Sequence, residues 1–484
     1  MFLGLDIGTS SVKAVLVDGG QRILAQAEEA LAVSRPAPLW SEQDPDDWWD
    51  ATGRAIQTLR AGAGSSWSGI QAVGLSGQMH GAVVLGADDR PLRPAILWND
   101  GRSFDECVEL ERRWPDLAEV TGNRAMPGFT APKLLWLARH EPAVFRACRR
   151  VLLPKDYVRL RMTGEAASDL SDSAGTLWLD VGRREWSEDA IAATGLSLSH
   201  MPRLYEGPEP TGRLAPALAR AWGLEQRPVV AAGAGDNAAG AVGIGIVEPG
   251  MAFASLGTSG VTFVARDRYA PNPAGGVHTF CHALPGRWHQ MAVHLSAASC
   301  LAWLAGILGE KESSLLAGLT DETAAPKGLF FAPYLTGERT PHNDPHAVAQ
   351  FYGVTAATTR RDLVQAVLEG VAYAFRDGLD ALESGGTRLD RLTLIGGGSR
   401  SRYWAQVMAD VLGVVLEIRA GGEVGPAFGA ARLARLAASG EDPVTVCRAP
   451  TLLDTVEPRP SRAGAYLQAR SAFCGLYEQQ RRPA

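Results

Sequence analysis

The chain has 484 residues, enough for two domains that each bury a core of their own. With 46% hydrophobic and 21% charged residues it has the make-up of a soluble globular protein. Its formal net charge of -6 excludes the global positive field that holds nucleic acid or an anionic membrane, so an anionic ligand has to be bound by local N–H groups and one or two cations. Six scattered cysteines (Cys107, Cys148, Cys281, Cys300, Cys447, Cys474) form no Cys-x-x-Cys pair and are expected to be reduced core thiols of a cytoplasmic protein. The N-terminal run has no basic n-region, and no apolar stretch approaches the roughly 18 residues of a membrane span.

In chain order, residues 2–26 read as three short strands. The first ends in Gly8-Thr9-Ser10, and Asp18-Gly19-Gly20 marks the hairpin before the third. The Gly-Thr-Ser turn thus joins strand to strand. A Walker A loop or a Rossmann fingerprint would lead into a helix, and neither motif occurs in the chain. Residues 71–75 read as a strand running into Ser76-Gly77-Gln78-Met79-His80-Gly81, and Trp98-Asn99-Asp100-Gly101-Arg102 follows another. Residues 229–250 look like a domain boundary: a strand, the small-residue run Gly233-Ala234-Gly235-Asp236-Asn237-Ala238-Ala239-Gly240, then the turn Val247-Glu248-Pro249-Gly250. A second Gly257-Thr258-Ser259 follows another apolar run and leads into another strand. Residues 365–379 show helical periodicity, residues 392–395 a strand entering Gly396-Gly397-Gly398-Ser399, and residues 403–412 a helix. The division expected is 1–245, 246–440, and a polar helical tail over 441–484 packed on the second domain.

Small hydroxylated turns after strands offer N–H and O–H groups to an anion, and two of them half a chain apart suggest two similar halves gripping one polyphosphate. Two unrelated strand turns would look the same. A carboxylate at Asp6, beside the first turn, suits a phosphate site only if a divalent cation lies between them; otherwise it is a solvated strand end. Lys13 is the nearest cation, or simply a surface lysine. Asp236 falls near a helix N-terminus, where the dipole favours the carboxylate form; it is either a general base or a plain cap. Met79-His80 between glycines suits a polyhydroxylated ligand, though a lone histidine is as readily a core residue. Gly397 and Gly398 admit a flat ring near the backbone or make a flexible turn. The Trp98–Arg102 stretch is either sugar-binding or a surface ion pair.

Together these pieces resemble the FGGY carbohydrate kinases of the actin/hexokinase/Hsp70 ATPase superfamily. The match runs from Asp6-Ile7-Gly8-Thr9-Ser10 to Gly396-Gly397-Gly398-Ser399-Arg400-Ser401, with Phe129-Thr130-Ala131-Pro132-Lys133-Leu134-Leu135-Trp136 like one family signature and the segment from Gly353 to Glu369 like the other. Val354 stands where the family often has Leu. The stretches Trp40-Ser41-Glu42-Gln43-Asp44-Pro45, Leu153-Pro154-Lys155-Asp156-Tyr157 and Gly337-Glu338-Arg339-Thr340-Pro341-His342 make the chain most similar to the bacterial xylulokinases within that family.

The resemblance implies an α/β fold of two duplicated ribonuclease H-like domains around a central cleft. It implies ATP and Mg²⁺, D-xylulose as acceptor at its 5-hydroxyl, and a cytoplasmic homodimer. Asp236 would be the base, Asp6 would help position Mg²⁺ together with Asp236 through water, and Met79, His80 and Asn237 would hold the ketose. Thr9, Ser10, Lys13, Gly257, Thr258, Gly397, Gly398 and Ser401 would face the nucleotide. The glycerol kinases of the family carry Arg and Glu at the positions of Met79 and His80, which argues against glycerol. Other FGGY kinases acting on ribulose, gluconate, fuculose or erythritol, and an actin- or Hsp70-like switch, are the competing readings.

Overall fold

The first Gly-Thr-Ser closes a tight turn, with Gly8 N–H donating to Ser11 O at 3.0 Å. Phe2–Ile7 (β1) therefore folds back antiparallel on Ser11–Val17 (β2), which pairs with Ile23–Ala30 (β3). Asp18 and Gln21 make the hairpin bond expected at Asp18-Gly19-Gly20, and the third strand runs on to Ala30. The computed structural model describes residues 1–317, 319, 328–386, 388–420 and 425–480. Pro45–Ala63 (α1) starts on the carboxylate of Asp44, which accepts from Asp46 N–H, and returns the chain so that Ala72–Gly77 (β4) joins β1 in parallel. Thr130–His140 (α2) and Pro154–Thr163 (α3) precede Pro210–Arg213 (β5), Val229–Ala231 (β6) and Ala234–Gly235 (β7). The sheet order is β5-β6-β4-β1-β2-β3, with β7 also on β4, and Asp236–Ile244 (α4) follows directly.

The second half repeats this plan. Ala252–Leu256 (β8) turns through the second Gly-Thr-Ser into Gly260–Arg266 (β9); His278–Cys281 (β10) and Trp288–His294 (β11) complete the antiparallel side. Arg360–Ser384 (α5) leads to Arg391–Ile395 (β12), parallel to β8; then come Arg402–Leu412 (α6) and Val415–Arg419 (β13), parallel to β12. In both sheets the strand that ends in Gly-Thr-Ser has an antiparallel meander on one side and parallel strands on the other. The two turns occupy equivalent places in a duplicated architecture, which a three-residue repeat could only suggest.

Two elements exceed expectation. Helix α5 extends beyond 365–379 because Thr359 and Asp362 form a capping box before its apolar stripe begins. The segment after 440 is not helical throughout: after Gly425–Ser439 (α7), Leu452–Val456 (β14) pairs antiparallel with β13 and covers an edge whose N–H and C=O groups would otherwise be bare. Pro460–Gln480 (α8) then buries Tyr466, Phe473, Leu476 and Tyr477 in the core of the second sheet. No helix among the described residues is long and apolar enough to cross a membrane.

Helix α7 crosses between the halves. It follows β13 in the chain but lies on β1, β4 and α4, where glycines admit its backbone. A Cβ at Gly74 would stand 1.9 Å from Ala430 O, and one at Gly4 the same distance from Ala427 O. Gly429 of α7 makes the reciprocal approach to Ala239 O of α4, at 1.8 Å. Gly74→Val is expected to cost more than about 3 kcal/mol or to abolish folding, since backbone cannot retreat as a side chain can. Gly53→Ala in α1, whose Cβ would meet nothing within 4 Å, is expected to be neutral or to stabilise by about 0.5–1 kcal/mol. Urea midpoints of the two variants check both.

Candidate active site

Asp6 lies near the end of β1, its side chain buried and its Oδ1 without a hydrogen-bond partner among the described residues. Burial pushes its carboxyl up to about 6. Asp236 opens α4 behind Gly235 and accepts from the backbone N–H of Asn237 at 2.7 Å and from Asn237 Nδ2 at 3.0 Å. The helix terminus was expected to favour its ionised form. Burial, and then the charge of the neighbouring Asp6, outweigh those donors and lift its carboxyl to about 7.

The loop after β4 is pinned from several sides. His80 has a left-handed backbone, φ 69°, and its ring Nδ1 stands 2.6 Å from Gly175 O. Its own carbonyl accepts from Thr130 Oγ1 at 3.1 Å and Lys133 Nζ at 2.8 Å. Met79 packs on Gly235, where a Cβ would be 2.9 Å from the Met79 sulfur. Beneath the loop is a buried cluster in which Lys155 Nζ meets Asp156 at 2.6 Å, Asp169 at 2.7 Å and Asp172 at 3.1 Å. Arg159 also donates to Asp156, at 2.8 Å. Three carboxylates stand against two cations, and burial pushes Asp172 well above the usual carboxylate range. Asp169 accepts from Ser171 N–H at 2.8 Å, and the Ser171 hydroxyl accepts Gly235 N–H at 3.1 Å, so the cluster reaches the residue before Asp236.

The cleft has a volume of about 380 Å³. From the first half it is lined by Met79, His80, Trp98, Asp236 and Asn237, four of which the sequence singled out as sugar-side residues. From the second half come Ser259, of the second Gly-Thr-Ser turn that the sequence marked for a phosphate, and His278, Phe280 and Arg339 among others, which were not expected. Arg339 sits in a stretch that the sequence marked for its resemblance alone, while His278 carried no signal beyond being a histidine.

The other expected phosphate-side residues lie outside this lining. Thr9 Oγ1 donates to Gln78 Oε1 at 2.9 Å and accepts from Trp98 Nε1 at 3.0 Å, tying the first turn to the sugar-side loop. Ser10 is exposed beside it. Lys13 stands opposite Asp6 on β2 and pairs with Glu28 at 3.7 Å, as a half-exposed strand lysine does. At the second turn Ala298 and Ala297 donate backbone N–H bonds to Gly257 O and Thr258 O, at 2.8 and 2.9 Å, and the Thr258 side chain is exposed. Gly396, with φ 91°, packs on Leu256 and Gly257, and Gly398 packs on the Leu256 side chain. The glycines therefore serve contact with the second turn, beyond any room they leave for a flat ring. Gly397 is open, and Ser401 caps α6 by accepting Trp404 N–H at 3.2 Å. The Trp98–Arg102 stretch is no surface ion pair: Asp100 and Arg102 are buried and bidentate, with the guanidinium 3.7 Å from the Trp40 ring centroid, and only Trp98 reaches the cleft.

Asp236 has a folded pKa of about 7 against about 3.9 unfolded, so the native state binds the extra proton over that interval. Stability therefore falls as pH rises from about 4 to about 7 and stays lost above it. Asp236→Asn keeps an acceptor for Asn237 N–H and removes the charge. In metal-free buffer its melting temperature is expected to exceed the parent's at pH 8 and to converge with it near pH 4, as scanning calorimetry would read.

Residues 1–243 match the N-terminal domain, and residues 252–438 the C-terminal domain, of the FGGY family of carbohydrate kinases. The chain is 52% identical over 483 residues to a xylulose kinase of Escherichia coli (strain K12), covering 99% of each. The crystal structure of a xyloylose kinase from Brucella ovis superposes with a TM-score of 0.96 at 52% identity, over 99% of both chains. That of a xylulose kinase from Rhodospirillum rubrum superposes with 0.91 at 30%, over 99% and 98%. The paired sheets are thus the two-domain ATPase-like fold of these enzymes, and the chain belongs to the FGGY family of carbohydrate kinases.

Proposed function

We propose that this cleft transfers the γ-phosphoryl group of ATP to the 5-hydroxyl of D-xylulose, giving D-xylulose 5-phosphate and ADP. The observation that carries the reading is Asp236, a half-buried carboxylate on the cleft wall with Met79, His80 and Asn237, in a chain whose curated relatives include xylulose kinases at 52% and 50% identity. The first domain, 1–245, is assigned the sugar, the second, 246–440, the nucleotide, and 441–484 closes the second. The two Gly-Thr-Ser turns are assigned the phosphates through Thr9, Ser10, Gly257 and Thr258, with Lys13 as the nearby cation. Gly397, Gly398 and Ser401 are assigned the nucleotide base and ribose. A homodimer is the assembly proposed.

The residues fit Mg²⁺: two neighbouring carboxylates stand at the cleft, buried Asp6 and half-buried Asp236, the charge of Asp6 helps raise the proton affinity of Asp236, and Asp6 Oδ1 has no partner among the described residues. Bound there, the cation would neutralise charge on the phosphates and hold both carboxylates ionised. Asp236 accepts the 5-hydroxyl proton as the new P–O bond forms, so it need not match the alcohol's pKa. Phosphoryl transfer has a loose transition state, and positioning supplies most of the acceleration. Asn237, bonded to Asp236 Oδ1, fixes the direction of that carboxylate. Walls drawn from both halves shut out water and suppress hydrolysis of ATP.

ADP release across a panel of D-xylulose, D-ribulose, gluconate and glycerol is expected to be greatest, by kcat/KM, with D-xylulose. A larger value for a sugar acid would overturn the substrate assignment. Asp236→Ala is expected to lower kcat by more than about 10³-fold while sugar and ATP still bind, by calorimetry. Near-parental turnover would remove Asp236 from its role.

A further inference from the structure

Two residues from the second half, His278 and Arg339, line the cleft with polar side-chain atoms that have no partner among the described residues. Asn123 Nδ2 donates to Thr121 O at 2.8 Å and Thr279 O at 2.9 Å, so the atom facing His278 Nδ1 at 2.9 Å is the Asn123 carbonyl oxygen. His278 Nδ1 must therefore carry the hydrogen. The ring is buried and neutral, so Nε2 is a bare acceptor, and among the described residues no group donates to it. An orphaned buried acceptor destabilises the fold, and one on a ligand cleft is explained by a ligand O–H. His80 follows the same logic: its Nδ1 donates to Gly175 O, which leaves Nε2 as the acceptor. The two imidazoles flank the Phe129 ring, with centroids at 4.6 Å and 5.8 Å.

Arg339 supplies the opposite sense. Its guanidinium lines the same cleft, and among the described residues it makes no ion pair or hydrogen bond. Its backbone is held: Glu338 Oε1 accepts both Arg339 N–H at 2.7 Å and Leu295 N–H at 3.0 Å. The cleft thus presents two imidazole acceptors, which want hydroxyls, and one five-fold donor that accepts nothing and suits an oxygen without a hydrogen.

In the closed furanose form of a ketopentose the one such oxygen is the ring O5, the atom to be phosphorylated; in the open form it is the C2 carbonyl oxygen. Its furanose ring closes through O5, so a 5-hydroxyl free to be phosphorylated belongs to the open chain, which carries the C2 carbonyl. We propose that Arg339 selects the open-chain ketose by donating to its C2 carbonyl oxygen, and that His278 accepts a hydrogen bond from one of its hydroxyls, so that the second half reads the sugar as well as the nucleotide. This rests on the assignment of a ketopentose to the cleft.

The test compares D-xylulose with its C2-reduced alcohols, xylitol and D-arabinitol, and with monodeoxy-xyluloses, in the full-length protein with saturating ATP. Parental turnover of D-xylulose checks the substrate assignment by itself. Given that turnover, Arg339→Met is expected to raise KM for D-xylulose at least tenfold and to collapse the preference for ketose over C2 alcohol, with KM for ATP and the melting temperature unchanged. His278→Phe, which keeps the ring stack on Phe280, is expected to abolish the penalty for one deoxy position and leave the others intact. An unchanged ketose-to-alcohol ratio in Arg339→Met would overturn the carbonyl contact. Deoxy penalties identical to the parent's in His278→Phe would overturn the hydroxyl contact. Parallel losses for both substrates and ATP, with a lowered melting temperature, would mark either residue as structural and equally overturn its assignment.

Discussion

Backbone-to-backbone contact between α7 and the first half is the constraint on which the site depends. The helix comes from the second half of the chain and rests on β1, β4 and α4 through Gly4, Gly74 and Gly429. Those same elements present Asp6, the Gly77–Gly81 loop and Asp236. Arg432 of α7 extends the joint by donating to Val242 O and Gly243 O at the end of α4, at 2.8 and 3.1 Å, which satisfies carbonyls the helix leaves open. Any side chain at these glycines would displace the helix and, with it, the carboxylate pair.

That pair shows how function is placed against stability. Asp6 is buried and Asp236 half-buried beside it, the two are like-charged, and each is shifted upward. A pair that served only the fold would be replaced with advantage by apolar side chains. Its retention at the cleft makes sense if a cation and a hydroxyl proton arrive there during turnover.

The first Gly-Thr-Ser turn, Asp236-Asn237 and Met79-His80 were legible because their signals are local: a strand, a small-residue turn, a polar group. The duplication was half legible, since pairing order is a long-range property that a repeated tripeptide cannot encode. His278 and Arg339 were not legible as site residues. They reach the cleft only because the second sheet brings His278, on β10, and the loop after Gly337 to the wall opposite Asp236. Helix-terminal reasoning at Asp236 gave the wrong sign for its pKa because burial and Asp6, distant in sequence, outweigh a dipole that the sequence does show. Asp100–Arg102 misled for the opposite reason: two adjacent charges look like surface residues until Trp40 and Glu42 fold over them.

The buried Lys155 cluster has a consequence for the order of events. Through Asp169 and Ser171 it fastens the backbone just ahead of Asp236, and through Gly77, whose Cβ would lie 3.0 Å from that of Lys155, it abuts the loop bearing His80. The proposed base and the proposed first-half sugar contacts thus ride on one frame. On that proposal a sugar seated there is aligned with its proton acceptor before the phosphoryl donor arrives, and a donor arriving without sugar would find a base with nothing to deprotonate but water.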